Sequence, residues 1–407
     1  VAGNTVLGES ALDASVSGAN NTAVGFESLT ANTSGANNTA VGRRAGTAIT
    51  TGSQNTVIGG NSLFACTEGN NNTAIGQSCM FAITTGDDNI AIGKGALNTA
   101  TTADDNLAIG VDALSVNTSG TQNIAVGNFA LDANTTANNN TALGYNTLGA
   151  NTTGANHIAI GNLALKLNTT GSDNLAIGYS TLENNTTGIR NVGVGSNALE
   201  DNVSNNYNVA VGYDCLREAT ANNNTGVGYQ ALKNNTTGNQ NTAVGSSALD
   251  ANTTGANNTA VGQTCLGANT TGGNNTAVGR NTLSANTEGD NNSAFGYQSL
   301  SNNTTASNNV AVGYNSLLSN TTGVSNAALG KDALKSNTTA ANNTACGAFA
   351  LEDNTTGANN TACGEFSLGN NTTASNNTAV GYLSLSANTT GSGNTAVGAS
   401  ALDAVTT

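Results

Sequence analysis

The sequence predicts an all-β fold, a parallel β-solenoid (β-roll) of about 24 coils with a 17-residue repeat, and three observations carry that expectation. The first is a period. The phrase NNTAVGYQALKNNTTG at Asn223 to Gly238 recurs along the chain, and the glycine closing each AVG-like triplet falls at Gly8, Gly25, Gly42, Gly59 and onward to Gly398. Successive glycines stand 17 apart, except for one step of 16 between Gly212 and Gly228. The second is a set of apolar columns that hold their phase with the glycine. The third is the composition of what lies between them: Asn, Gly, Asp and Ser, which enter left-handed and Asx-type turns at little cost.

Within one phrase the elements follow in order. Four residues before the phase glycine stands Asn in every phrase but one, where His157 takes its place. A stacked Asn column can stitch coils together through its amides, and His157 reads as a tolerated interruption of it. A short strand of the TAV or IAI type follows, with period-two alternation. Its first residue exchanges Thr for Ile or Leu (Ile90, Leu107, Ile124), so it is expected half-buried. Its last residue is Val, Ile or Leu almost throughout and is expected in the core, with small residues on the other side. The glycine marks a corner. Four residues beyond it stands Leu in 22 of 24 phrases, with Gly46 and Met80 as exceptions, and that constancy reads as core. A second extended segment is expected through the Ala-Leu pair and the following NTT.

Each coil is too thin to bury a core alone, so neighbours must close it. At roughly 4.8 Å per coil the body is expected to be a rod on the order of 115 Å long. The 16-residue step, in DCLREATANNN, should be absorbed in a turn, because Leu216 and Leu232 keep their places relative to the glycines. The expected organisation is a single repeat solenoid over 1–407. The chain opens and closes inside a phrase, which reads as a segment of a longer fibre or as a body that stacks end to end through uncapped coils.

Composition narrows the function classes. Charged residues are 8% and aromatic residues 4%, with no Trp and no Pro, unlike an ordinary enzyme. A net charge of −14, with no basic run longer than Arg43-Arg44, excludes nucleic acid and an anionic membrane surface as expected partners. No apolar run approaches bilayer length, so no membrane insertion is expected in this segment. With one His and carboxylates scattered over turns (Asp87-Asp88, Asp104-Asp105, Glu200-Asp201), no nucleophile, base and orienter come together. No catalytic residue, cofactor site or metal site is assigned, and the reading is of a non-enzyme. The paired Asp residues read as solvated turn residues rather than a Ca²⁺ site.

NTAVGYQAL followed by NTTG and another NTAVG resembles the head repeats of trimeric autotransporter adhesins. It resembles more closely the longer-turned repeats of tail-fibre-type β-strand-repeat proteins. The resemblance covers nearly the whole chain. It implies a left-handed, often trimeric β-roll that works as a stalk or adhesive head, extracellular or at the cell surface, or in a virion tail fibre. Its expected partners are copies of itself, as a homotrimer or end-to-end polymer, together with surface glycans or a host receptor.

Two columns carry the site candidates. Seven residues after the phase glycine, Asn32, Asn117, Asn134, Asn151, Asn168, Asn185, Asn202, Asn235, Asn252, Asn269, Asn303, Asn320, Asn337, Asn354, Asn371 and Asn388 each form a sequon and so a candidate N-glycosylation acceptor. The alternative is a turn Asn with a Thr ladder. Just after the glycine stand Tyr145, Tyr179, Tyr213, Tyr229, Tyr297, Tyr314 and Tyr382, the candidate subunit contact. Among six Cys, Cys346 and Cys363 lie one period apart in the Val column and read as two stacked, buried thiols, while Cys79, Cys215 and Cys265 replace Ala or Ser. The function expected is a structural or adhesive extracellular fibre. The alternative is a repetitive-face binding module: a phage tail-fibre shaft, or a glycan-binding or ice-binding solenoid.

Overall fold

The computed structural model describes residues 3–14 and 16–407, so Val1, Ala2 and Ser15 of the expected 1–407 span lie outside the described residues. It is an all-β parallel solenoid, with one three-residue strand per coil from Thr5–Leu7 to Thr395–Val397. Strands pair in parallel and in register one repeat apart, as in Thr242↔Thr259, Ala243↔Ala260 and Val244↔Val261. The chain divides into two compact units, residues 1–206 and 207–407, and the same coil builds each.

Hydrogen bonding runs from coil to coil. The N–H of Thr242 donates to the Asn258 carbonyl of the following coil at 2.8 Å, while the N–H of Gly245 donates back to Val227 at 2.8 Å. Each strand is thereby tied on both sides, which satisfies backbone groups that a three-residue strand cannot satisfy alone. The short step is absorbed as expected. Val209↔Thr225, Ala210↔Gly226 and Val211↔Val227 remain paired, and Leu216 N–H still donates to Ala231 at 3.0 Å. The Asn208 amide reaches the Ala221 carbonyl over 13 residues instead of 14, so the lost residue belongs to the exposed turn that carries Thr254 or Thr237 in other coils.

Two expectations need correction. The first concerns the sides of the strand. Its middle residue, Ala in most coils, is the buried one (Ala243, Ala260 and Ala277 are fully buried), whereas the Thr and Val columns face outward. Val244 and Ile92 are 37% and 36% exposed. The coil is narrow, and its inner wall opposite the strand is already filled by Leu and by the small residue before it. The fit is tight beside the bulkier of those residues: above Thr181 and Cys215 the strand residue is Gly193 and Gly226, although above Thr147, Thr282, Cys79 and Cys265 it stays Ala. A Cβ on either glycine would stand 2.6 Å from the Thr181 methyl or the Cys215 sulfur. The interior takes one small side chain from nearly every strand, the fully buried Val57 of the strand after Gly46 being the larger exception, and the first and third residues are left outside.

The second correction is that no strand forms through the Ala-Leu pair and NTT; the described strands number one per coil. The reason lies in the Leu column, whose members are left-handed, with Leu232 at φ 54° and Leu249 at φ 53°. Left-handed geometry costs a non-glycine residue roughly 1–2 kcal/mol. Burying a Leu side chain returns about 1.5–3 kcal/mol, so the bulky residue is kept despite its backbone. The expectation of a Leu core holds, since Leu29, Leu63, Leu97 and Leu114 are fully buried. Gly46, the small exception, is compensated by Ile49, whose Cδ1 lies 2.9 Å from where a Cβ on Gly46 would stand.

Candidate functional site

Two internal ladders set the rigidity of the coil and decide what is left for the surface. In the first, the N–H of Asn258 donates to Asn241 Oδ1 at 2.9 Å, and the Asn258 amide donates to the Gly272 carbonyl at 2.9 Å. Side chain therefore binds backbone above and below, rather than amide binding amide alone. His157 does not interrupt this column. Its N–H donates to Asn140 Oδ1 at 3.0 Å, Nδ1 accepts the Asn174 N–H at 3.3 Å, and Nε2 lies 2.7 Å from the Gly171 carbonyl. Those partners require the neutral tautomer with hydrogen on Nε2, the imidazole thus reproducing the Asn pattern of one acceptor and one donor. Burial pulls its pKa below the usual value, against the Gly171 and Asn174 hydrogen bonds, which raise it.

The second ladder is the sequon column. Asn252 Nδ2 donates to Asn235 Oδ1 at 2.6 Å, Asn269 Nδ2 donates to Asn252 Oδ1 at 2.8 Å, and each amide also reaches the carbonyl three residues on. Unbroken runs extend from Asn117 to Asn202 and from Asn235 to Asn388. All sixteen candidate acceptors, Asn32 to Asn388, are fully buried. The folded coil leaves no path by which a glycan on these amides could reach solvent, so the burial speaks for the turn-Asn alternative. Sequence reasoning missed this ladder although a signal was present: the column exchanges Asn for Ile49, Cys66, Ile83 and Ala100, which are buried residue types. Cys66 even points its thiol at the Gly69 carbonyl at 3.8 Å, in the manner of the Asn it replaces. The Thr that follows is also engaged, with Thr253 Oγ1 donating to the Thr270 carbonyl at 3.0 Å, so these hydroxyls bind protein rather than water.

The paired Asp residues are placed at a corner. Asp87 Oδ1 accepts the Asn70 N–H at 2.6 Å and Asp104 Oδ1 accepts the Asp87 N–H at 2.8 Å, as Ser53 and Asn70 do in neighbouring coils. Asp201 Oδ1 accepts the Asn184 amide at 3.0 Å. Among the described residues no three His, Cys, Asp or Glu gather in a way that could hold a metal ion. Among the described residues no helix is long and apolar enough to cross a membrane.

The outward side of the strand offers a different surface. Its two ranks hold Thr, Ser, Ala, Val, Ile, Leu, Phe and Cys, with no charged or amide side chain in any of the 24 strands. Beside them runs the tyrosine rank. Tyr145, Tyr179, Tyr213, Tyr229, Tyr297, Tyr314 and Tyr382 are all exposed, between 38% and 53%. Where they are neighbours they stack, Tyr213 on Tyr229 at 5.8 Å and Tyr297 on Tyr314 at 5.5 Å between ring centroids. Further along the coil, charges pair with the coil above, as Glu27 with Arg44 at 2.6 Å and Lys166 with Glu183 at 3.2 Å. Such half-exposed pairs contribute little to stability. The two strand ranks thus carry no charge, whereas the tyrosine rank beside them also holds Arg43, Lys94, Arg280, Lys331 and Glu365.

The thiols separate in the same way. Cys79, Cys215 and Cys265 are buried as expected, and loss of solvation pushes each thiol up to about 12. Cys346 and Cys363 are stacked in register, as expected, but they stand on the outward rank, exposed and half-buried respectively, and not in the core. They share the displacement of the whole Val column.

No protein-family model matches the chain, and no curated protein matches it.

Proposed function

We propose that this chain is a non-catalytic segment of a structural or adhesive extracellular fibre, associating with copies of itself through the uncharged strand face and the adjoining tyrosines. The observation that supports this most is the coil's economy: Ala, Leu, two Asn and a turn Gly or Ala fill the interior of nearly every repeat. The outside repeats with the same spacing. Stability is then a sum over neighbouring coils, which suits a body that must extend and carry load. An uncharged face on a chain of net charge −14 is also where a second copy meets the least repulsion.

A second reading, a repetitive face that binds glycan or ice, is favoured by the regular Thr and Val ranks and the stacked tyrosines. Electron microscopy of the purified chain, with light scattering for its mass, tests the proposal. Elongated particles that associate side by side are expected, and compact monomeric particles at all concentrations would refute it. Thermal hysteresis in a monomeric sample would favour the second reading.

A further inference from the structure

We propose that Cys346 and Cys363 are a modification site: a thiol pair that low-molecular-weight disulfides of the glutathione disulfide class convert reversibly into an inter-coil disulfide. The two residues close the strands Thr344–Cys346 and Thr361–Cys363, which pair in parallel with Cys346 directly opposite Cys363. Backbone bonds at both ends of the strand pair hold that register: Thr344 N–H donates to the Asn360 carbonyl at 2.8 Å, and Gly364 N–H donates to the Cys346 carbonyl at 2.8 Å. In-register neighbours of a parallel sheet have Cα atoms about 4.8 Å apart. A disulfide spans Cα separations of roughly 4.4–6.8 Å, so the pair meets the distance condition as it stands.

Both sulfurs are on the outward rank, side by side and, in a chain whose strand face no second copy covers, in reach of a solute, and both are free thiols. The other four cysteines differ in each respect. Cys66, Cys79, Cys215 and Cys265 are buried, and their thiols are pushed up to about 11 or about 12 by desolvation, which suppresses the nucleophilic thiolate. No two of them face each other in register. The reactive thiols of the described chain are therefore the adjacent pair.

The exchange proceeds in two balanced steps. Cys346, the more exposed sulfur, attacks as thiolate one sulfur of the small disulfide; a Cys346 mixed disulfide forms and one small thiolate leaves. Cys363, as thiolate, then attacks the Cys346 sulfur; the protein disulfide forms and the second small thiolate leaves. Two protein thiols are oxidised, one small disulfide is reduced to two thiols, and the two protons go to the departing thiolates or to solvent. Parallel in-register neighbours also keep their Cβ atoms near the strand spacing, somewhat wider than the roughly 3.8 Å a relaxed disulfide prefers. The bond draws the strands together, and a bond under that load is readily reduced again.

The test is to incubate the folded protein, diluted until light scattering shows monomer so that the strand face is uncovered, with glutathione disulfide, block remaining thiols with iodoacetamide under native conditions, and measure intact and peptide masses. Expected is a loss of two hydrogens, with a peptide pair joined through Cys346 and Cys363, restored to free thiols by dithiothreitol. Cys346→Ser and Cys363→Ser should each retain a single glutathione adduct instead, because the resolving partner is gone. The four buried thiols should react with iodoacetamide only after unfolding, which reports that the fold is intact. Wild-type protein carrying two separate glutathione adducts, two freely alkylated thiols after oxidation, or a disulfide between chains would overturn the proposal.

Discussion

Replacing Asn252 by Ala separates the two readings of the sequon column. Three hydrogen bonds disappear: Nδ2 to Asn235 Oδ1 at 2.6 Å, Nδ2 to the Gly255 carbonyl at 3.0 Å, and Asn269 Nδ2 to Oδ1 at 2.8 Å. The Gly255 carbonyl keeps the Asn241 amide, and Asn269 keeps the Gly272 carbonyl, but Asn235 Oδ1 loses its ladder donor in a fully buried place. An orphaned buried acceptor costs about 1–3 kcal/mol and each of the other bonds about 1 kcal/mol, so a loss of about 3–5 kcal/mol is expected. Because coils bond only to their neighbours, the loss should be local. Amide hydrogen exchange is the suitable assay, and 3 kcal/mol corresponds to roughly a hundredfold faster exchange in the coils around residues 235–272. Thr254→Ala destroys the same sequon from an exposed position whose side chain makes no ladder contact, and should change exchange less than a few-fold. Equal effects of the two substitutions, or an attached glycan at Asn252 in folded material, would refute the ladder assignment.

Three further outcomes follow from the same geometry. Gly245→Ala should destabilise by about 4 kcal/mol or more, seen as a lowered denaturant midpoint, because its Cβ would stand 2.5 Å from the Gly262 carbonyl oxygen at a φ of +140°. His157 has a folded pKa below its unfolded value, so its contribution is complete above about pH 6.5 and is lost as pH falls from there toward the folded pKa; His157→Asn should flatten the dependence of the unfolding midpoint between about pH 7.5 and pH 5 without lowering it at the upper end. Asn32 has both side-chain polar atoms buried without a partner among the described residues, next in column to Ile49, so Asn32→Ile should raise stability by about 1–3 kcal/mol in equilibrium unfolding.

The period, the Leu core and the harmless 16-residue step were legible because each is a statement about which residues lie above which, and the spacing of identical residues reports that directly. The direction of the strand was not. Val alternating with Ala in a three-residue strand satisfies a period of two whichever side is buried, and hydrophobicity favours Val. What reverses the choice is the volume left inside the coil, and the signal for it lies in the middle strand column, which holds Ala or Gly in every strand but those with Val6 and Val57. The left-handed Leu was hidden for a related reason. Backbone preference alone excludes it, and only the burial gained in three dimensions outweighs that preference. For the sequons, local pattern and column content pointed in different directions, and Ile49 and Ile83 in the column were the better guide.

Folding does not account for the composition of the outward strand ranks. Val244 and Val261 face outward, 37% and 36% exposed, and the strand pairing would form with Lys or Glu there too, since the hydrogen bonds of these strand residues are backbone ones. Strand propensity disfavours Asp, Asn and Lys only weakly. Yet Asn, the commonest turn residue of the chain, and the 8% of residues that are charged are missing from both ranks in every strand. Elsewhere on the surface charges are accepted and paired across coils. A solvated face has no reason for that exclusion, whereas a face covered by another copy has one, because a buried unpaired charge is costly. Val244→Lys together with Val261→Lys, in-register neighbours whose like charges repel, should therefore lower stability by only about 1–2 kcal/mol while abolishing the proposed self-association in light scattering. Association that survives both lysines would place the contact elsewhere on the coil, and a large loss of stability would mean that these valines belong to the core after all.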